Sequence, residues 1–155
     1  DLMERLIMVR ELAGDEPVLV AYGDCLSDIN IQKMVESHCR QQSLATVAIA
    51  HPTGRNEILA LNEQGCYIGT KQGKKQKHSW VNACSMVLEA RAFDYLKENQ
   101  ENHFALSLMD CLAAHEPVQT YRHEGFWSPV ETIRDKTWME NLWAQHKAPW
   151  KVWED

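Results

Sequence analysis

No run of apolar residues in this chain approaches bilayer length, and no charged-then-apolar leader opens it, so neither a membrane span nor a membrane partner is expected. A basic excess is missing as well. Sixteen Lys and Arg face 22 Asp and Glu, and the formal net charge of -6 argues against broad nucleic-acid binding, which needs a basic face to track phosphates. The five cysteines (25, 39, 66, 84 and 111) are odd in number, widely spaced and without a C-x-x-C pair. Neither a disulfide framework nor a zinc site is suggested by that spacing, and reduced thiols in the cytoplasm are the simplest account. The first residue is Asp rather than Met, which fits a sequence that opens partway through something longer.

What is present suits one compact domain: 155 residues, 45% hydrophobic and 25% charged. Residues 1–122 read as sheet and helices, and residues 123–155 as a C-terminal helix with an aromatic tail. The stretch Val18–Ile29 organises the rest. An apolar run ends in Tyr22-Gly23-Asp24, which reads as a buried strand over 18–22 delivering Asp24 to its carboxyl end. Ser27 or Asp28 is then placed to cap a helix from about Asn30 to Gln41, with Ile31, Met34, Val35 and Cys39 inward. Ligands of open α/β sheets bind at that edge, where a carboxylate is placed to hold a divalent cation against phosphate oxygens; the alternative role for Asp24 is turn hydrogen bonding.

Around this stretch, Leu2–Leu12 is predicted as an amphipathic helix with Leu2, Leu6 and Val9 inward, Met3 and Ile7 as further candidates, and Gly14 closing it. Ala45–Ala50 is a second buried strand, so residues 18–50 read as one parallel, right-handed strand–helix–strand unit. An antiparallel excursion follows: Ile58–Leu61, a turn at Asn62–Gly65 and a return over Cys66–Thr70. Residues 71–79 carry four lysines and no apolar side chain, a solvated loop or a phosphate contact. Trp80–Leu88 and Val118–Tyr121 read as strands, and Ala90–Leu96 and Phe104–His115 as helices packed on the sheet. Ser128–Glu131 has the form of a capping box with Pro at the first helical position, and Thr132–Asp135 offers a second in an overlapping register; a helix to about Lys147 follows either way. Trp138, Trp143, Trp150 and Trp153 carry more apolar area than a short helix and tail can cover, so another surface is expected to cover them.

Tyr22-Gly23-Asp24, Pro52-Thr53-Gly54-Arg55, Trp80-Val81-Asn82, and above all Gly125–Lys136 with Lys147–Trp153 resemble the glucose-1-phosphate cytidylyltransferases, over nearly the whole chain. The resemblance is to the C-terminal portion of that family of sugar-phosphate nucleotidyltransferases. It implies an α/β, Rossmann-like nucleotidyltransferase fold, a mixed sheet with flanking helices, lacking the N-terminal nucleotide-binding part. It also implies Mg²⁺, CTP and glucose 1-phosphate as substrates, CDP-glucose and pyrophosphate as products, and a homo-oligomer. Carried over residue by residue, Asp24 is catalytic and, with Glu131, a metal ligand, while Arg55 and Asn82 contact substrate. The family's sugar-phosphate lysine falls on Gly73, and Lys74 or Lys75 can stand in, since an ammonium on a flexible stem tolerates displacement.

The departures are specific. The family's opening strand and glycine-rich phosphate loop precede the point where this sequence begins. Gly-Asp-Gly becomes Gly23-Asp24-Cys25, the glycines after Asn82 become Ala83 and Cys84, and Ala105–Leu108 lacks the family's sugar-binding glutamate. The second metal carboxylate, an Asp in the family, is Glu131, which has a capping role as its alternative. Two readings follow. One is a portion of a cytidylyltransferase that is inactive alone and is completed by a longer chain or a partner supplying the N-terminal part. The other is a degenerate, non-catalytic family member that binds sugar or nucleotide or serves in assembly.

Overall fold

The computed structural model describes residues 2–51, 58–71, 79–98 and 108–154. Thirteen elements alternate along them: α1 (Leu2–Ala13), β1 (Val18–Ala21), β2 (Cys25–Ser27), α2 (Ile31–Gln41), β3 (Ala45–Ala50), β4 (Ile58–Leu61), β5 (Tyr67–Lys71), β6 (Val81–Leu88), α3 (Ala92–Glu98), α4 (Leu108–Ala113), β7 (Val118–Arg122), β8 (Trp127–Pro129) and α5 (Ile133–Ala144). Six strands form one mixed sheet in the order β1-β6-β3-β7-β5-β4, and β2 pairs with β8 in a separate antiparallel ribbon.

The central strand β3 is buried throughout, as its unbroken apolar run requires. Its larger side chains, Val47 and Ile49, join a core with Leu6 of α1, Phe93 and Leu96 of α3 and Leu112 of α4. Its small ones, Ala48 and Ala50, face Met34 of α2 with Val81, Ala83 and Trp127. Alternating small and large residues thus let α2 approach one sheet face closely while the other carries three helices. Burying one such Leu, Ile or Phe side chain is worth about 1.5–3 kcal/mol.

The strand–helix–strand reading of residues 18–50 needs correction. β1 and β3 run the same way but do not touch, because β6 lies between them, antiparallel to both (Val18 opposite Leu88, Ala45 opposite Leu88). β1 is consequently an edge strand rather than a buried one, with Leu19 and Ala21 exposed. The parallel pair in the sheet is β3 with β7. The 58–71 hairpin is as expected, closed by Asn62 Oδ1 accepting from the Gln64 and Cys66 N–H groups and by Gly65 at φ +80°.

Helix boundaries also shift. Residues 25–27 are strand, so Asn30 caps α2, its Oδ1 accepting from the Lys33 N–H at 2.9 Å; neither Ser27 nor Asp28 does so. Cys39 is exposed, and the buried residues of α2 are Met34 and His38. In α1 Leu6 is buried but Val9 is exposed, and Gly14 closes the helix at φ +62°. The first capping box gives way because Trp127–Pro129 pairs with β2, whereas the second forms in full: Thr132 Oγ1 accepts from the Asp135 N–H and Asp135 Oδ2 from the Thr132 N–H. Helix α5 ends at Ala144, short of Lys147. Residues 104–107 of the expected Phe104–His115 helix and residues 72–78 of the lysine-rich loop lie outside the described residues.

Trp150 is buried against Phe126, with ring centroids 5.5 Å apart, while Trp138, Trp143 and Trp153 remain about half exposed. The tail therefore covers itself only in part. No described helix is long and apolar enough to cross a membrane.

Candidate active site

The site is built where three chain segments meet. After β1 the chain turns through Gly23 and Asp24 into β2, and the Asp24 carbonyl accepts from the Val130 N–H at 2.7 Å as β2 pairs with β8. That pairing sets Glu131, just past β8, beside the Asp24 turn. The capping alternative for Glu131 falls away, since Asp135 fills that position for α5 and accepts from the Glu131 N–H as well.

The third segment is β6. Opposite β3, its register jumps from Met86 against Val47 to Asn82 against Ile49, so residues 83–85 form a bulge. Cys84 sits in it at φ +63°, a left-handed conformation that side chains rarely adopt outside Asn, Asp and Gly. Asn82 holds this turn, its Oδ1 accepting from the Cys84 N–H at 2.8 Å while its amide points at Met109 Sδ. The Cys84 carbonyl accepts from the Tyr22 N–H at 2.9 Å, locking the bulge to the end of β1. Asn82 is thus at the site, with its carbonyl spent on the backbone.

One donor atom each from Asp24, Cys25 and Cys84 lies within 4.8 Å of the other two. A hydrogen bond between the thiols draws Cys25 below the usual thiol range and pushes Cys84 above it, with burial and the charges of Asp24 and Glu131 raising Cys84 further. Burial raises the Tyr22 phenol, and the charges of Cys84 and Asp24 add to the effect. Arg5, Ala21, Tyr22, Gly23 and Asp24 line an open cleft of about 440 Å³ at this edge. The Asp24 carboxylate, exposed in such a cleft, can contact a cation, and Arg5 adds a positive charge suited to an anionic ligand.

Of the residues singled out from sequence, Asp24, Asn82 and Glu131 come together here, whereas Arg55, Lys74 and Lys75 lie outside the described residues. Cys25, Cys84, Tyr22 and Arg5 were not anticipated as a group. The two cysteines had a signal, since both stand where the resembled family has glycine. His123 is not a surface residue: it is buried, with Nε2 2.9 Å from Asp28 Oδ1 and 2.9 Å from the Phe126 carbonyl. His51 stacks on Trp80 at 4.2 Å and reaches Glu124 at 3.1 Å.

No protein-family model matches the chain. It is 33% identical over 152 residues to a glucose-1-phosphate cytidylyltransferase of Salmonella typhi, and 31% identical over 151 residues to that of Salmonella typhimurium. Each alignment takes in 97% of this chain and 58% of the relative, so the chain spans under two thirds of the length of the curated relatives it matches. Among solved structures, a Bacillus anthracis protein assigned as a glucose-1-phosphate thymidylyltransferase, in complex with sucrose, superposes with a TM-score of 0.75 at 16% identity, covering 100% of this chain and 63% of that one. A UTP-bound UGPase of Acinetobacter baumannii gives 0.67 at 13% identity, covering 88% and 54%. The mixed sheet with its flanking helices is therefore the α/β nucleotidyltransferase fold in part. Over nearly its whole length, the chain is similar to a portion of the glucose-1-phosphate cytidylyltransferases.

Proposed function

We propose that this chain carries the cation-binding edge of a sugar-phosphate nucleotidyltransferase, the reaction being CTP and glucose 1-phosphate to CDP-glucose and pyrophosphate. The observation that supports the reading is the pairing of β2 with β8, in which the Val130 N–H donates to the Asp24 carbonyl, so that Glu131 follows directly on the backbone tied to Asp24, itself a lining residue of the cleft. Their oxygen donors suit Mg²⁺, which takes one or two carboxylates and completes its shell with phosphate oxygens and water. Such an ion, when bound, neutralises charge on the triphosphate and the leaving pyrophosphate. The protein's own part is to position: Asp24 and Glu131 hold the ion, Arg5 draws the anionic substrate into the cleft, and Asn82 fixes the β6 turn that is hydrogen-bonded to Tyr22. By the resemblance, Lys74 or Lys75 would meet the sugar phosphate and Arg55 would contact substrate.

On this reading the chain alone forms no CDP-glucose. The relatives are much longer than the stretch matched here, and thiol side chains at 25 and 84 narrow the place where the family has glycine. The setting is cytoplasmic, in keeping with five free cysteines, and the assembly is a homo-oligomer or a complex with a partner completing the site. Calorimetric titration with CTP, CDP-glucose and glucose 1-phosphate in Mg²⁺ tests the reading. Weak binding lost in Asp24→Asn and Glu131→Gln supports it. Turnover by the chain alone overturns its inactivity, and no binding of any of the three points to the second reading.

That second reading is a non-catalytic module for sugar or nucleotide binding or for assembly, and its assembly form is the one without nucleotide binding. It is favoured by the exposed Trp138, Trp143 and Trp153, which a partner surface would cover. Light scattering above the monomer mass, reduced by deleting Pro149 to Asp155, is its expected signature. An intact monomer that tolerates the deletion would exclude it.

A further inference from the structure

We infer that Asp24, Cys25 and Cys84 form a site for a thiophilic divalent cation of the zinc(II) class, distinct in chemistry from the oxygen-only site expected for Mg²⁺. The spacing of cysteines along the chain argues against a zinc site, but the fold brings together two that are far apart in sequence. One donor atom from each of the three residues lies within 4.8 Å of the others. Tetrahedral zinc with sulfur bonds near 2.3 Å sets its ligands about 3.8 Å apart, so small side-chain rotations close the site. Two sulfurs and one carboxylate are a donor set that selects zinc(II) over magnesium, which demands oxygens.

Two further observations point to a ligand there. Cys84 is held in a left-handed conformation by the β6 bulge and by Asn82, at a position where glycine would sit without strain; the backbone is spent on presenting its sulfur. Trp127, whose strand β8 pairs with the strand of Cys25, is buried at 4% exposure, and its indole N–H has no hydrogen-bond acceptor among the described residues. A buried donor left unpartnered beside this corner is suited to support a bound ligand from outside its inner contacts. On binding, each thiol gives its proton to solvent and its lone pair to the ion, and a water molecule supplies the fourth donor.

Cobalt(II) titration of the reduced full chain without oxygen tests this, with cobalt as the coloured stand-in for zinc. The native chain should show a near-ultraviolet thiolate-to-cobalt band saturating at one ion per chain. Added zinc(II) should abolish the band, and millimolar magnesium should leave it intact. Cys25→Ser and Cys84→Gly should each lose on the order of tenfold or more in affinity, whereas exposed Cys39→Ser should keep it. Cys84→Gly suits the backbone at that position, so its loss of metal is not a loss of fold. A reduced native chain giving no such band, or a Cys84→Gly chain binding cobalt as the native one does, overturns the inference. The reading of Asp24 and Glu131 as magnesium ligands stands or falls separately, on nucleotide binding in magnesium.

Discussion

Two polar clusters in this molecule are built on opposite terms. Around His38, which is fully buried on α2, Nδ1 meets Thr46 Oγ1 at 2.9 Å and Ser43 Oγ at 3.3 Å, and Nε2 meets Glu89 Oε1 at 2.9 Å. Both ring nitrogens are matched, and the cluster ties α2 to β3 and to the end of β6. Around Asp24, by contrast, the groups are exposed or part-exposed, two thiols and a carboxylate crowd one another, and one residue is strained. Buried polar groups with all partners satisfied secure a core; groups held apart from satisfaction at a cleft retain capacity for a ligand.

This contrast can be broken from either side. The largest effect is expected from His38→Ala, which takes the ring partner from Glu89, leaves Thr46 with Ser43 alone and opens a cavity; denaturant unfolding should show a loss of about 2–4 kcal/mol. Gly125→Ala comes next. An added Cβ would lie 2.5 Å from Asp28 Oδ1 and 2.8 Å from His123 Cε1, so the contact must move at a cost of about 1–3 kcal/mol, read from the unfolding midpoint.

Thr132→Ala removes the cap of α5 and should cost about 1 kcal/mol. That loss should depend on pH. The Thr132 hydroxyl, followed by backbone N–H groups, holds the Asp135 carboxyl below its ordinary 3.8, so its contribution is present above that pH and fades as pH falls through the lowered value. The gap between native and Thr132→Ala stabilities should therefore narrow in strong acid, the part due to the cap on the Asp135 N–H remaining.

The smallest effect sharpens the other side. Cys84→Gly relieves a left-handed cysteine but frees the unfolded chain, so stability should stay level or rise by at most about 1 kcal/mol, in the same unfolding assay. A large loss there would make the corner a structural cluster like that of His38.

The strands of the main sheet were legible because β3 is an unbroken apolar run and the Asn62–Gly65 turn has its own chemistry, whereas the short β2 and β8 read as turn and cap residues. Pairing was not. Nothing local to Val18–Ala21 tells that its neighbour is Ser85–Leu88 rather than β3, because each of these strands is apolar enough to suit either partner. The Glu131 ambiguity had a similar origin: two capping boxes overlap in sequence, and only the pairing of Trp127–Pro129 with β2 decides between them. The burial of His38 had no local signal beside Glu36 and Arg40, since it follows from Ser43, Thr46 and Glu89 arriving from other segments. At the site, Asp24 could be found from its strand-end position. The approach of Cys84 could not, since a bulge has no reliable signature in one sequence.

The place of β6 between β1 and β3 also governs the order in which the molecule can assemble. During synthesis from the N-terminus, β1 and β3 emerge early, but each lacks its partner until Val81–Leu88 has been made, since Val18 and Ala45 both meet Leu88. These contacts close long loops and form slowly. Until then two apolar strands are left with open edges, a state prone to wrong pairing. Nascent chains stalled before Trp80 should be degraded readily by protease, and chains stalled far enough past Arg122 to release β7 should resist it.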